Sequence, residues 1–218
     1  MQVFMKKMAK GLISRTTTGK RLIRVGGLTP YLDEKGWFRS AEERLPVDRD
    51  GKPLPWYTYP MISFLNDRVK SDMHVFEYGS GNSTLWWSKQ VSSVTSCEHD
   101  RKWYDSLKPK MPPNVNYIFC ELDYGGQYCQ TIVPFEAGFD CIIIDGRDRA
   151  NCARNSLEAL RTDGVIIWDN SDREKYQEGY MLLKQNGFGR IDFWGLGPLS
   201  SYEWCTSIFY RDDNCLGI

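Results

Sequence analysis

The residues of this chain best able to do chemistry are acids standing at the ends of apolar runs. Glu77 introduces a glycine turn, Tyr78-Gly79-Ser80-Gly81-Asn82-Ser83, after the run that begins at Val75. Glu98 and His99 end a second run, and Asp123 lies just past a third. Asp145 follows Ile142-Ile143-Ile144, Asp148 comes three residues later, and Asp169-Asn170 follow Ile166-Ile167-Trp168. A strand that enters a helix through glycines is a ligand turn, but a dinucleotide turn carries a third glycine, and here that position is Thr84. A pyrophosphate would also be repelled by Glu77. Glu98 is placed to accept both hydroxyls of a ribose, and Asp123 to hold an adenine amino group. These acids suit a ligand with a ribose, an adenine and a cationic amino-acid arm. The plainer alternatives are that Glu98 ends a strand in a solvated turn, that Asp123 caps a loop, and that Asn82 or Ser83 caps the following helix.

The second set, Asp145, Asp169 and Asn170, offers two carboxylates and an amide oxygen. Hard oxygen ligands suit Mg²⁺ or another divalent cation. Equally, Asp145 or Asp148 is a candidate general base, and Asp169-Asn170 can bond an acceptor or cap a helix. His99 is a further base candidate, or part of the cofactor rim.

The elements that must position these residues alternate. Residues 74–79, 94–100, 115–122, 139–146 and 164–170 read as strands, the fourth and fifth apolar enough for burial on both faces. Helices are expected over 58–70, 83–90, 101–111, 150–164 (closed by Gly164) and 172–189. Residues 189–195 and 206–213 read as strands with no helix between them, hence an antiparallel pair. The expected fold is α/β: a doubly wound, seven-stranded, mostly parallel sheet with a C-terminal antiparallel hairpin. Residues 56–218 form this domain, and residues 1–55 read as a basic, irregular N-terminal extension.

The pattern Glu77-x-Gly79-x-Gly81, the acid Glu98 ending the second strand, and the terminal hairpin resemble class I S-adenosylmethionine-dependent methyltransferases. The resemblance implies an enzyme whose cofactor, S-adenosyl-L-methionine, contacts Glu77, Tyr78, Gly79, Ser80, Gly81, Asn82 and Ser83, with Glu98 on the ribose and His99, Asp123 and Asp145 nearby. Asp145 and Asp169-Asn170 also resemble the metal ligands of divalent-metal-dependent O-methyltransferases acting on catechols and caffeoyl thioesters. That family has a lysine three residues after its first Asp, where this chain has Asp148 between Arg147 and Arg149. The expected acceptor is a small molecule or a saccharide, methylated on oxygen. Arg147 and Arg149 could pair with an acceptor carboxylate or phosphate. Aromatics crowd the expected pocket, notably Trp56, Trp103, Trp168, Trp194, Tyr202 and Trp204, and the stretch 55–60 could fold over it as a lid. Alternatives are a non-catalytic cofactor-binding module on the same fold and an NAD-dependent oxidoreductase.

Composition sets the remaining bounds. Net charge is zero, yet residues 1–30 hold seven basic side chains (Lys6, Lys7, Lys10, Arg15, Lys20, Arg21 and Arg24) and no acid. They form a solvated tail or an arm for an anionic partner, such as peripheral contact with a membrane surface. No aromatic side chain lies between Lys6 and Arg24, which argues against nucleic acid. No apolar run reaches membrane-spanning length, and the N-terminus lacks the features of a secretory signal. Seven cysteines without a C-x-x-C pair are expected as free thiols in the cytoplasm.

Overall fold

The computed structural model describes residues 16–218. The N-terminal part is more regular than its sequence suggests. It forms α1 (Thr17–Gly26), α2 (Thr29–Glu34) and α3 (Trp37–Glu43). These helices are short and separated by glycines, so none shows the long apolar period that marks a helix in a sequence. A bridge between Val47 and Pro53 closes the turn that follows, and Trp37 and Leu54 pack against the core of the remaining chain. The basic residues Lys6, Lys7, Lys10 and Arg15 lie outside the described residues.

The α/β alternation then appears as expected. Helix α4 (Tyr59–Asn66) precedes β1 (His74–Tyr78), α5 (Asn82–Trp87), β2 (Ser93–Glu98), α6 (Arg101–Leu107) and β3 (Val115–Phe119). A short helix α7 (Gln127–Gln130), β4 (Phe139–Ile144), α8 (Arg149–Ala159), β5 (Leu160–Asp169) and α9 (Gln177–Gln185) follow. Strands β6 (Gly189–Gly195) and β7 (Trp204–Tyr210) complete a seven-stranded sheet in the order β3-β2-β1-β4-β5-β7-β6. Strands β1 to β5 are parallel, and β7 runs antiparallel between β5 and β6.

Period-two alternation explains why the central strands have no polar face. Phe76, Tyr78, Ile142, Ile144, Ile166 and Trp168 point to one side, where α7, α8 and α9 cover them. Val75, Cys141, Ile143, Val165 and Ile167 point to the other, beneath α4 and α5. Both faces are therefore dry, and strand-end residues are the ones that reach solvent. All seven cysteines are free thiols. Among the described residues, no helix is long and apolar enough to cross a membrane.

Several elements are shorter than the sequence reading, and at one boundary the expected signal is overridden. Gly164 does not close α8, which already ends at Ala159. The β4–β5 register jumps from Phe139–Leu160 to Cys141–Val165, so Gly164 lies in an irregular stretch inside β5. Ladder pairing with β4 overrides the helix-stop signal.

Candidate active site

The strand order reverses at β1, whose neighbours β2 and β4 lead to opposite sides of the sheet, and a crevice opens beyond their carboxyl ends. It is a cleft of about 710 Å³. The backbones forming its floor touch. Gly79 has φ 95°, and a Cβ there would lie 3.1 Å from the Gly146 amide nitrogen. A Cβ on Gly146 would lie 2.1 Å from the Tyr128 hydroxyl. Glycine is required at both positions because β1 and β4 end back to back. Gly81 is different. Its backbone is extended, and an added Cβ would meet nothing within 4 Å. Nothing in the fold requires a glycine there.

At one end of the cleft, Glu98 is 3% exposed. Its Oε1 accepts the backbone N–H groups of His99 (2.7 Å) and Asp100 (2.8 Å), and its Oε2 accepts Ser80 Oγ at 2.6 Å. Ser80 Oγ also lies 2.8 Å from the Tyr117 hydroxyl, so it can turn away and release Oε2. The Trp103 indole donates to the Ser80 carbonyl at 2.9 Å and forms a wall. His99 lines the cleft, with Nδ1 3.0 Å from Glu98 Oε1 but not aligned as a hydrogen bond.

The rest of the predicted turn supports this end from beneath. Glu77 does not line the cleft. It is 1% exposed, and its Oε2 accepts Thr84 Oγ1 at 2.5 Å and Ser96 Oγ at 3.2 Å. Thr84 Oγ1 in turn accepts the Gly81 N–H at 3.1 Å, so Glu77 fixes the turn through Thr84. Glu77 Oε1 is buried without a hydrogen-bond partner. Burial raises the Glu77 pKa to about 7, with the nearby hydroxyls of Ser83, Thr84 and Ser96 opposing it. Tyr78 is a core residue whose hydroxyl donates to the Cys129 carbonyl, and Ser83 is buried. Asn82 points to the N-terminal part of the chain and donates to the Pro46 carbonyl at 2.7 Å. Asp123 accepts the Gln127 and Tyr128 N–H groups at 2.8 and 2.9 Å, and does not line the cleft. The N-cap position itself is Gly126, so Asp123 reaches the first two amides of α7 from the preceding loop.

At the other end the structure brings together Asp145, Asp169 and Asn170, as the sequence suggested. The cation among them is a side chain. Arg149, in the first turn of α8, is only 5% exposed. Its Nε donates to the Gly146 carbonyl (3.0 Å), and one terminal nitrogen donates to the Asp169 carbonyl. The other terminal nitrogen reaches the Asp145 carbonyl (2.6 Å), Asp145 Oδ1 (3.0 Å) and Asn170 Oδ1 (3.4 Å). Asp169 Oδ1 is committed elsewhere, accepting Thr206 Oγ1 at 2.6 Å and Trp204 Nε1 at 3.0 Å. A divalent cation does not fit this donor set. The guanidinium already lies among the oxygens, and a second cation beside it would be repelled. Among the described residues, no group of three or more His, Cys, Asp or Glu side chains could hold a metal ion.

Asp148, the other base candidate, is not in the cleft. Its carboxylate accepts the Gly125 N–H (2.7 Å) and Asn151 Nδ2 (2.8 Å), tying the loop before α7 to α8. Asp145 does line the cleft with 28% of its side chain exposed, and its pKa is raised by its partial burial and then by Asp169, with Arg149 pulling it down. Of the aromatics, Trp56, Trp103, Tyr202 and Trp204 line the cleft, while Trp168 is core and Trp194 is exposed on β6. The sequence reading missed Asp100, Ser200 and Arg173, which enter the wall through loop geometry without a motif to mark them.

No family model matches the sequence, and no curated protein matches it. Solved structures do. A methyltransferase from Geobacter sulfurreducens is 17% identical with a TM-score of 0.53, covering 86% of this chain and 95% of its own. A precorrin-6Y C5,15-methyltransferase from Geobacter metallireducens is 14% identical with a TM-score of 0.53, covering 69% of this chain and 84% of its own. Spermidine synthase from Thermotoga maritima is 17% identical with a TM-score of 0.53 over 74% of this chain, which spans 59% of that protein. At these identities the likeness is one of fold. The chain has the seven-stranded fold of the class I S-adenosylmethionine-dependent methyltransferases.

Proposed function

We propose that the chain is an S-adenosylmethionine-dependent methyltransferase that methylates a hydroxyl oxygen of a small molecule or saccharide. The observation that carries this reading is the placement, in one cleft, of the buried acid Glu98 and a second lining carboxylate, Asp145. S-adenosylmethionine supplies an electrophilic methyl group on a sulfonium. Glu98 accepts the ribose hydroxyls once Ser80 turns to Tyr117. Gly79 and Ser80 bring the turn to the cleft wall, and the space beside Gly81 behind them is not filled by the fold. Asp145 takes the acceptor proton. A carboxylate with a raised pKa is better matched to that task near neutral pH than an ordinary one. Arg149 holds Asp145 and Asn170 in place, and the cleft walls line up donor and acceptor. Trp56 and Tyr202 offer exposed flat faces to a sugar or an aromatic acceptor. The free thiols fit a reducing compartment, the cytoplasm in this reading.

The test is transfer of a radiolabelled methyl group to pooled hydroxylated metabolites and oligosaccharides. Asp145→Asn should lower the rate by about 10²–10⁴-fold while S-adenosylhomocysteine affinity stays within about twofold, because Glu98 and Gly81 are untouched. Unchanged transfer by Asp145→Asn removes it as the base. Transfer by the wild type to nitrogen or carbon acceptors alone removes the oxygen chemistry.

A further inference from the structure

Helix α1 has almost no core of its own. Of its residues, Gly19 alone is buried. Leu22 and Val25 are each 63% exposed. At about 100° per residue, Leu22 and Val25 share one face, and Lys20, Arg21 and Arg24 occupy the adjoining arc. A helix this short is marginal in water unless something covers its apolar side. The charge on α1 has one sign: Lys20, Arg21 and Arg24 are its charged side chains, and it carries no acid.

We propose that α1 docks on an anionic membrane surface. A bilayer interface meets both needs at once: acyl chains take Leu22 and Val25, and anionic headgroups take Lys20, Arg21 and Arg24. A nucleic acid would satisfy the cations and leave the apolar stripe in water. The docking helix is joined to the cleft by a short connection. Helix α3 starts at Trp37, whose indole donates to the Ser200 carbonyl at 3.0 Å, and Ser200 lines the cleft. The inference stands on surface chemistry and does not depend on which reaction the cleft performs.

The test is co-sedimentation of the full chain with phosphatidylcholine vesicles with and without phosphatidylglycerol. Binding is expected with phosphatidylglycerol, is lost in its absence, and is released by high salt. Leu22→Glu with Val25→Glu should weaken binding at least about tenfold without changing the melting temperature, since both side chains are exposed. Neutralising Lys20, Arg21 and Arg24 to Gln should weaken it about fivefold per charge. No sedimentation with phosphatidylglycerol vesicles, or wild-type binding by the Leu22→Glu, Val25→Glu variant, overturns the proposal. So does a stable dimer in solution that the same two substitutions dissociate, because the stripe would then be covered by a second copy.

Discussion

Replacing Arg149 with Ala should be among the most damaging single substitutions at this site, although Arg149 is an ion that sequence logic would assign to a ligand. Its removal strips donors from three backbone carbonyls, from Asp145 Oδ1 and from Asn170 Oδ1. Breaking a buried ion pair from one side costs about 3–5 kcal/mol, because the partner groups stay behind without compensation. Asp145 is 28% exposed, so water can reach part of the gap, and the lower half of that range applies. A loss of about 3–4 kcal/mol is a large share of the roughly 5–15 kcal/mol that holds a domain together. Arg149→Lys keeps the charge but lacks the planar fork that reaches both strand ends, so it should lose less, about 1–2 kcal/mol. Urea unfolding followed by tryptophan fluorescence measures both, and the Lys variant gives a reading even if the Ala variant does not fold. A loss below about 1 kcal/mol for Arg149→Ala would refute the view that the guanidinium fastens β4 to β5.

Three other outcomes are expected. EDTA should leave S-adenosylhomocysteine affinity unchanged in calorimetry, since Arg149 lies among the oxygens a metal would need; a loss restored by Mg²⁺ would reverse the fit argument. Glu77 has a pKa raised from 4.5 to about 7, so the folded protein favours its protonated form; stability from this group is present below pH 4.5 and lost as pH rises through 7, by about 3 kcal/mol. Glu77→Gln should therefore gain stability over the wild type between pH 5 and pH 8 by about that amount in urea unfolding, and a pH-independent difference would contradict the raised value. Gly79→Ala should cost about 1–3 kcal/mol through its positive φ and its contact with Gly146, whereas Gly81→Ala should leave stability nearly unchanged and weaken cofactor affinity; equal affinity would remove the ligand from Gly81.

The sheet was legible because its strands are written twice, once as apolar runs such as Phe139–Ile144 and once as strand-end acids. Glu98 and Asp145 were expected at a crevice because each stands at the end of a buried strand, and both line the cleft. The same logic pointed to Glu77, Asp123 and Asp148, and none of the three lines the cleft. Each is a carboxylate near a strand end, but which way a side chain turns is decided by local donors. Thr84 and Ser96 draw Glu77 inward, the α7 amides hold Asp123, and Gly125 holds Asp148. Arg149 shows the opposite limit. An arginine in a charged run, Asp145 to Arg149, reads as a cation open to an acceptor. Its burial depends on three carbonyls at two strand ends, and no sequence period reports those. The N-terminal helices escaped notice because each is too short to display its own period.

Calorimetric titration of S-adenosylhomocysteine into the wild type and into Glu98→Ala tests the central claim most directly. The account predicts saturable one-to-one binding by the wild type, weakened in the variant by about 1–3 kcal/mol, the value of hydrogen bonds to a charged group. Absence of binding by folded wild-type protein, or equal affinity in the two proteins, would contradict it.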